Sequence, residues 1–119
     1  TISNGFYGRK GSHAADQYKQ AKYYGLMRSW AKENSVSCFY FEAFDEPWKD
    51  AHNPKGSENH FGLITADGKA KYALWNFVDN GTFDGLTRNG APITKTFNGN
   101  NENVFISVLP PNILEYNLN

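Results

Sequence analysis

The feature that most limits the fold is residues 36–44, VSCFYFEAF, a nearly unbroken apolar and aromatic run. A half-exposed strand alternates apolar and polar residues. A run without alternation reads as a strand buried on both faces, the habit of parallel sheets. Just before it, residues 13–33 place Ala14, Tyr18, Ala21, Gly25, Leu26 or Met27, and Trp30 at three- and four-residue steps. That spacing predicts a long helix with one apolar face. Ser12 is its candidate N-cap and Asn34 its end. Asp16 near the start and Lys32 near the end suit the helix dipole. Residues 69–78, KAKYALWNFV, read as a second helix. A helix, a short link, a doubly buried strand and another helix form part of a repeating β/α unit, so the fold class is α/β.

One such passage is far from a whole. A closed β/α barrel takes about 250 residues, and this chain has 119. Alone, the passage leaves strand edges and apolar helix faces uncovered. Composition changes after Asp79. Two Asn-Gly pairs, at Asn89-Gly90 and Asn98-Gly99, are hairpin signals. ITKTF, NVFISVL and ILEYNL read as short strands. Residues 1–79 are therefore expected to form the β/α portion and residues 80–119 a small β-rich appendage.

Lys plus Arg balance Asp plus Glu at 12 each, for a formal net charge of zero. That gives no electrostatic case for nucleic acid or an anionic membrane, and neither is expected as a partner. No run approaches the ~18 apolar residues of a spanning helix. Cys38, the only cysteine, excludes an internal disulfide, and its apolar neighbours predict a buried thiol. Asn80-Gly81-Thr82 is a glycosylation sequon of a kind common by chance. Nine Phe, seven Tyr and three Trp bring aromatics to 16% of the chain. Aromatics fill cores, and they also make stacking floors for sugars. With neutral charge, sugar suits this chain better than nucleic acid.

The run ends in FDEPWKD, where Glu42, Asp45, Glu46 and Asp50 crowd around Trp48 and Lys49. In barrel enzymes the working residues follow the C-terminal ends of the strands. Carboxylates there serve as acid, base or nucleophile, or bind sugar hydroxyls. Trp48 offers a face for a pyranose ring, and Lys49 keeps a neighbouring carboxylate ionised. A solvated acidic loop with an aromatic anchor would carry the same residues. His52 and His60, with Glu46 and Glu58, match no metal-ligand spacing, so no metal or other cofactor is expected.

FYFEAFDEPWKD followed by GSENHFGLITADGKAKYAL resembles the last strand, loop and helix of family 17 glycoside hydrolases, the β-1,3-glucanases, especially their microbial branch. The resemblance covers about residues 36–78. It implies the C-terminal part of a (β/α)8 barrel that cleaves β-1,3-glucan, such as laminarin, with retention. By matching positions it assigns Glu46, Lys49 and Glu58 to a charged set supporting the nucleophile. It places Trp48 beside the sugar subsites, and Glu42 belongs to the microbial pattern; on the rim as a whole the substrate-binding candidates are Glu42, Asp45, Trp48 and His60. Phe61 and Gly62 match a largely structural signature. The family's nucleophile lies in a Glu-Thr-Gly-Trp-Pro motif that this sequence lacks, and its general acid has no match here either. The opening TISNGFYG resembles the loop after that nucleophile. The expected partners are then a β-1,3-glucan and the remainder of a barrel, or another chain supplying it, in a secreted, periplasmic or cell-surface setting. A non-catalytic carbohydrate-binding module and a glucan transglycosylase are the competing functions.

Overall fold

The computed structural model describes residues 16–108. The first element, α1 (Gln17–Glu33), starts at Asp16, whose extended backbone and side chain cap it: Oδ1 accepts the Lys19 N–H at 2.9 Å. Ser12, the N-cap expected from the sequence, lies outside the described residues. Asn34 closes the helix by donating its backbone N–H and its side-chain amide to the Trp30 carbonyl. The buried stripe also differs from the predicted one. Gln20 and Ala31 are buried, while Leu26 and Trp30 stand 68% and 52% exposed. Gln20 earns its interior place by hydrogen bonding, since its amide donates to the Gly62 carbonyl at 2.9 Å and to the Tyr40 hydroxyl at 3.2 Å. No described element lies over the Leu26 and Trp30 side to cover it.

The doubly buried strand is not found. Residues 36–43 join no ladder, and only Phe44 makes a parallel bridge, to Ile64. Phe39 is 95% exposed, and Val36, Phe41 and Cys38 also face outward, so the buried thiol is overturned as well. A strand exists only through its neighbours, and no described segment pairs with residues 36–41 in a ladder. The described architecture is mixed α and β with very short strands. The second helix is shorter than its pattern suggested: Lys69–Ala70 is a strand (β1), Tyr72–Leu74 a 3-10 turn, and α2 runs only over Trp75–Asp79.

A core of Leu63, Ile64, Ala70 and Leu74 sits behind the 41–50 loop, with Tyr24, Tyr40, Phe44 and Ile93 packed around it. The later strands are β2 (Thr87–Arg88), β3 (Ala91–Pro92) and β4 (Thr94–Lys95). β2 and β3 pair antiparallel across Asn89-Gly90, both with positive φ, which is the expected Asn-Gly hairpin. β4 runs parallel to β1, with Lys69 opposite Thr94. The second Asn-Gly pair makes no hairpin. Phe97, Asn98 and Gly99 are all left-handed and lead into α3 (Asn101–Ile106), capped by Asn100. NVFISVL is thus mostly helix, because a cap side chain sits just upstream and puts Val104 fully inside. ILEYNL lies outside the described residues. The segment after Asp79 packs closely on what precedes it. Thr96 is buried, accepts the Trp75 indole N–H at 3.3 Å, and donates to Gln17 Oε1 at 2.8 Å.

Candidate active site

Backbone pairing with the segment after the loop positions the rim. Glu42 N–H donates to the Phe61 carbonyl at 3.2 Å, Leu63 N–H to Glu42 at 3.0 Å, and Asp45 N–H to Ile64 at 2.9 Å. The approach is so close that a Cβ on Gly62 would lie 2.2 Å from the Asp45 nitrogen. Glycine is required here for space.

Under this junction lies a buried ion pair. Asp45 is 7% exposed and Lys71 1%. Lys71 Nζ donates to Asp45 Oδ1 at 2.8 Å and to the His60 carbonyl at 3.2 Å, and Gly62 N–H also donates to Asp45 Oδ1 at 2.8 Å. His60 Nδ1 stands 3.7 Å from the other Asp45 oxygen, and its Nε2 is 2.7 Å from the Pro54 carbonyl oxygen. Burial pushes the Lys71 ammonium below the usual lysine range, and Asp45 pulls it back up. Asp45, a sugar-binding candidate of the acidic rim, is therefore turned inward and committed to structure. The reason is physical: a carboxylate almost out of water needs a cation and a donor, and it has both.

The outer surface of the loop carries the other charged groups. Lys49 Nζ lies 2.9 Å from Glu46 Oε2 and 4.6 Å from the centre of the Phe41 ring, which meets Phe61 edge-on at 5.9 Å. The bond to Lys49 holds the Glu46 carboxyl below the usual range, aided by a bond from Glu42. The bond to Glu46 raises Lys49 despite opposing desolvation, with smaller contributions from Glu42 and Glu58. Burial raises Glu42, and contact with Glu46 raises it further. Trp48 is 66% exposed on the same loop. Glu58 is exposed on a 3-10 turn, Ser57–Asn59, that a buried Asn59 folds back toward the rim. Asn59 accepts the Asp50 N–H at 2.7 Å and donates to the Asp50 and Asn53 carbonyls.

The structure thus pairs Glu46 with Lys49, with Glu42 and Glu58 near enough to act on Lys49 and Trp48 exposed on the same loop. Sequence reasoning missed Asn59, Lys71 and Gln20. An apolar frame around Lys71, in KAKYAL, was the one available signal. Among the described residues, no three His, Cys, Asp or Glu side chains come together as metal ligands, and no helix is long and apolar enough to cross a membrane. Chemically, the rim pairs an ammonium with a carboxylate beside a carboxyl and an exposed indole. Such a set can hold charge and bind hydroxyls and a ring face.

No family model matches the chain. It is 49% identical over 50 residues to a glucan 1,3-beta-glucosidase of Arthroderma benhamiae, covering 39% of this chain and 15% of that protein. It is 45% identical over 54 residues to a probable glucan endo-1,3-beta-glucosidase of Aspergillus oryzae, covering 41% of this chain and 8% of that protein. Among solved structures, it matches an endo-laminarinase from Formosa Hel1_33_131 with a TM-score of 0.82 and 67% identity, over 92% of this chain and 28% of that one. The chain thus spans less than a third of the length of each of these proteins. Curated relatives and solved structure agree with one another: the chain is similar to part of proteins named as a glucan 1,3-beta-glucosidase, a probable glucan endo-1,3-beta-glucosidase and an endo-laminarinase.

Proposed function

We propose that the chain forms one wall of a β-1,3-glucan cleft in a glycoside hydrolase, as the C-terminal part of a (β/α)8 barrel. Residues 1–79 belong to the barrel on this reading, and residues 80–119 are a C-terminal appendage. The observation that carries the proposal is the 67% identity to an endo-laminarinase over 92% of the chain, with the Glu46–Lys49 pair and exposed Trp48 on one loop. The outward aromatic residues 36–41 fit a barrel wall whose neighbouring strands come from elsewhere.

Hydrolysis with retention needs two carboxyl groups about 5–5.5 Å apart, one attacking the anomeric carbon and one protonating the leaving oxygen. The Glu-Thr-Gly-Trp-Pro motif is absent from this sequence. Glu46, Lys49 and Glu58 are assigned to the shell that fixes charge and geometry around those groups, and Trp48 to stacking on a glucose ring. Working on an extracellular polysaccharide, the protein would be secreted or held at the cell surface. The test is to incubate the purified chain with laminarin and to measure both reducing ends and binding by tryptophan fluorescence. The expected result is binding without hydrolysis, with binding lost in Trp48→Ala. Hydrolysis that vanishes in Glu46→Gln would make Glu46 a catalyst. Absence of any laminarin affinity, with the chain folded, would remove the cleft assignment.

A further inference from the structure

We propose that Arg88 is a positioning residue of the rim, acting through Phe44, and that the segment after Asp79 thereby braces the loop that carries Glu46, Trp48 and Lys49. Among the described residues, the Glu46 backbone meets only the Lys49 N–H, within its own turn. Its place is therefore handed on from Phe44 and Asp45, just before it. One hold on that pair is local to the junction: Phe44 bridges to Ile64, and the Asp45 N–H donates to the Ile64 carbonyl at 2.9 Å. A second hold comes from far along the chain. The Arg88 guanidinium carbon lies 4.2 Å from the centre of the Phe44 ring. Both residues are half-buried, and a cation over an aromatic face is held more strongly as water is removed.

Three features aim Arg88 at that ring. It is the last residue of β2, opposite Ala91 across the Asn89-Gly90 turn, so the hairpin sets its backbone. Its Nε donates to the Ala66 carbonyl at 3.3 Å. Its stem crosses Gly68, where an added Cβ would stand 2.6 Å from the Arg88 Cβ; with φ at +93°, that position calls for glycine on both counts. The hairpin is itself anchored, since Ile93 packs against the Leu63 and Ile64 core and β4 pairs with β1. The planar guanidinium suits a ring face. Lysine at this position would keep a cation over Phe44 and lose the Ala66 bond. As a positioning role in glucan binding, the brace deepens the glucan-cleft reading and rests on it; as a support of the loop it does not.

The experiment compares nitrogen-15 NMR spectra and laminarin affinity of the chain with those of Arg88→Met, Arg88→Lys and Val104→Ala, scoring only protein with native amide dispersion. Methionine keeps most of the stem over Gly68 and removes the cation. Val104, fully buried on α3, is the control for lost stability as such. In the expected result, the Glu46 and Lys49 amides and the Trp48 indole shift in Arg88→Met, return most of the way in Arg88→Lys, and stay in place in Val104→Ala. Laminarin affinity falls about two- to tenfold in Arg88→Met, the range of one cation–ring contact, and recovers in Arg88→Lys. Rim signals unmoved in folded Arg88→Met would overturn the proposal. So would equal shifts in Val104→Ala, or no recovery in Arg88→Lys. Should Arg88→Met not fold, Arg88→Gln, which keeps a donor for the Ala66 carbonyl, takes its place under the same criteria. The two readings fail separately. Shifted rim signals in Arg88→Met, with no laminarin affinity in wild type, retire the cleft and leave the brace. Wild-type affinity with unmoved rim signals retires the brace and leaves the cleft.

Discussion

Replacing Lys71 by methionine should be among the most damaging single changes on the rim side of the molecule. Methionine keeps much of the aliphatic stem that fills the space, so little packing is lost. What goes is the ammonium that donates to Asp45 Oδ1 at 2.8 Å and to the His60 carbonyl at 3.2 Å. Asp45 remains 7% exposed, with the Gly62 N–H as its close donor and His60 at 3.7 Å. A buried carboxylate stripped of its cation costs about 3–5 kcal/mol, a large share of the ~5–15 kcal/mol that holds a typical domain. The double variant Asp45→Asn/Lys71→Met should recover much of that loss, because asparagine keeps an acceptor for the Gly62 N–H and carries no charge. Urea unfolding followed by tryptophan fluorescence gives both free energies and their coupling. Burial holds the Lys71 ammonium low in the folded chain, so the unfolded chain binds its proton more tightly. Stability due to this group therefore rises with pH from the depressed Lys71 value toward the ordinary lysine value of about 10.4. Above pH ~10 the raised Tyr40 hydroxyl works the other way, since the unfolded chain then gives up that proton first. Lys71→Met should lose the first trend and keep the second. A Lys71→Met cost under about 1 kcal/mol, or a double variant no better than Lys71→Met alone, would refute the ion-pair argument.

Two further outcomes follow from the same junction. Gly62→Ala forces a methyl to 2.2 Å from the Asp45 nitrogen and 2.4 Å from the Phe44 carbonyl carbon; since backbone must move, the urea midpoint should fall by an amount equivalent to about 1–3 kcal/mol, and an unchanged midpoint would show that the two segments are not packed as described. Asn59→Ala removes three hydrogen bonds to Asp50 and Asn53, worth about 2–4 kcal/mol together, and should speed hydrogen exchange at the Asp50 amide while leaving that of α1 unchanged.

What was legible in the sequence was local. The end of α1 at Asn34, the Asn89-Gly90 hairpin, and the Glu46–Lys49 pair three residues apart all rest on neighbours along the chain. Where two local signals collided, the sequence misled. Asn98-Gly99 reads like Asn89-Gly90, yet Asn100 supplies a helix cap directly after it, and the chain enters α3. The site's internal frame was not legible, because its contacts span long separations. Asp45 and Lys71 are 26 residues apart, and Gln20 and Gly62 are 42 apart. A charge pattern cannot say which acid turns inward, so Asp45 was grouped with the outward carboxylates beside it.

The 36–41 segment joins these two lessons. Its apolar composition is what a doubly covered strand needs, and the described residues give it almost no cover. Strand pairing is a property of two segments, and burial on two faces is a property of at least three. Composition can state the demand for such partners and cannot supply them. The carbonyls and amides of residues 42–45, by contrast, find residues 61–64 within the chain and are ordered by them. The boundary between the exposed and the paired parts falls at Phe41-Glu42, the point where the rim begins. The chain therefore carries its own scaffold for Glu42, Glu46 and Lys49, through Gly62, Lys71 and Asn59. The face formed by Val36, Phe39 and Phe41 is the part whose geometry depends on what lies beside it. This is why substitutions in the Asp45–Lys71 frame should register in the stability of the chain itself, while Phe39→Ala, at 95% exposure, should leave its urea midpoint nearly unmoved. A large drop in Phe39→Ala would mean that the face is already covered in solution.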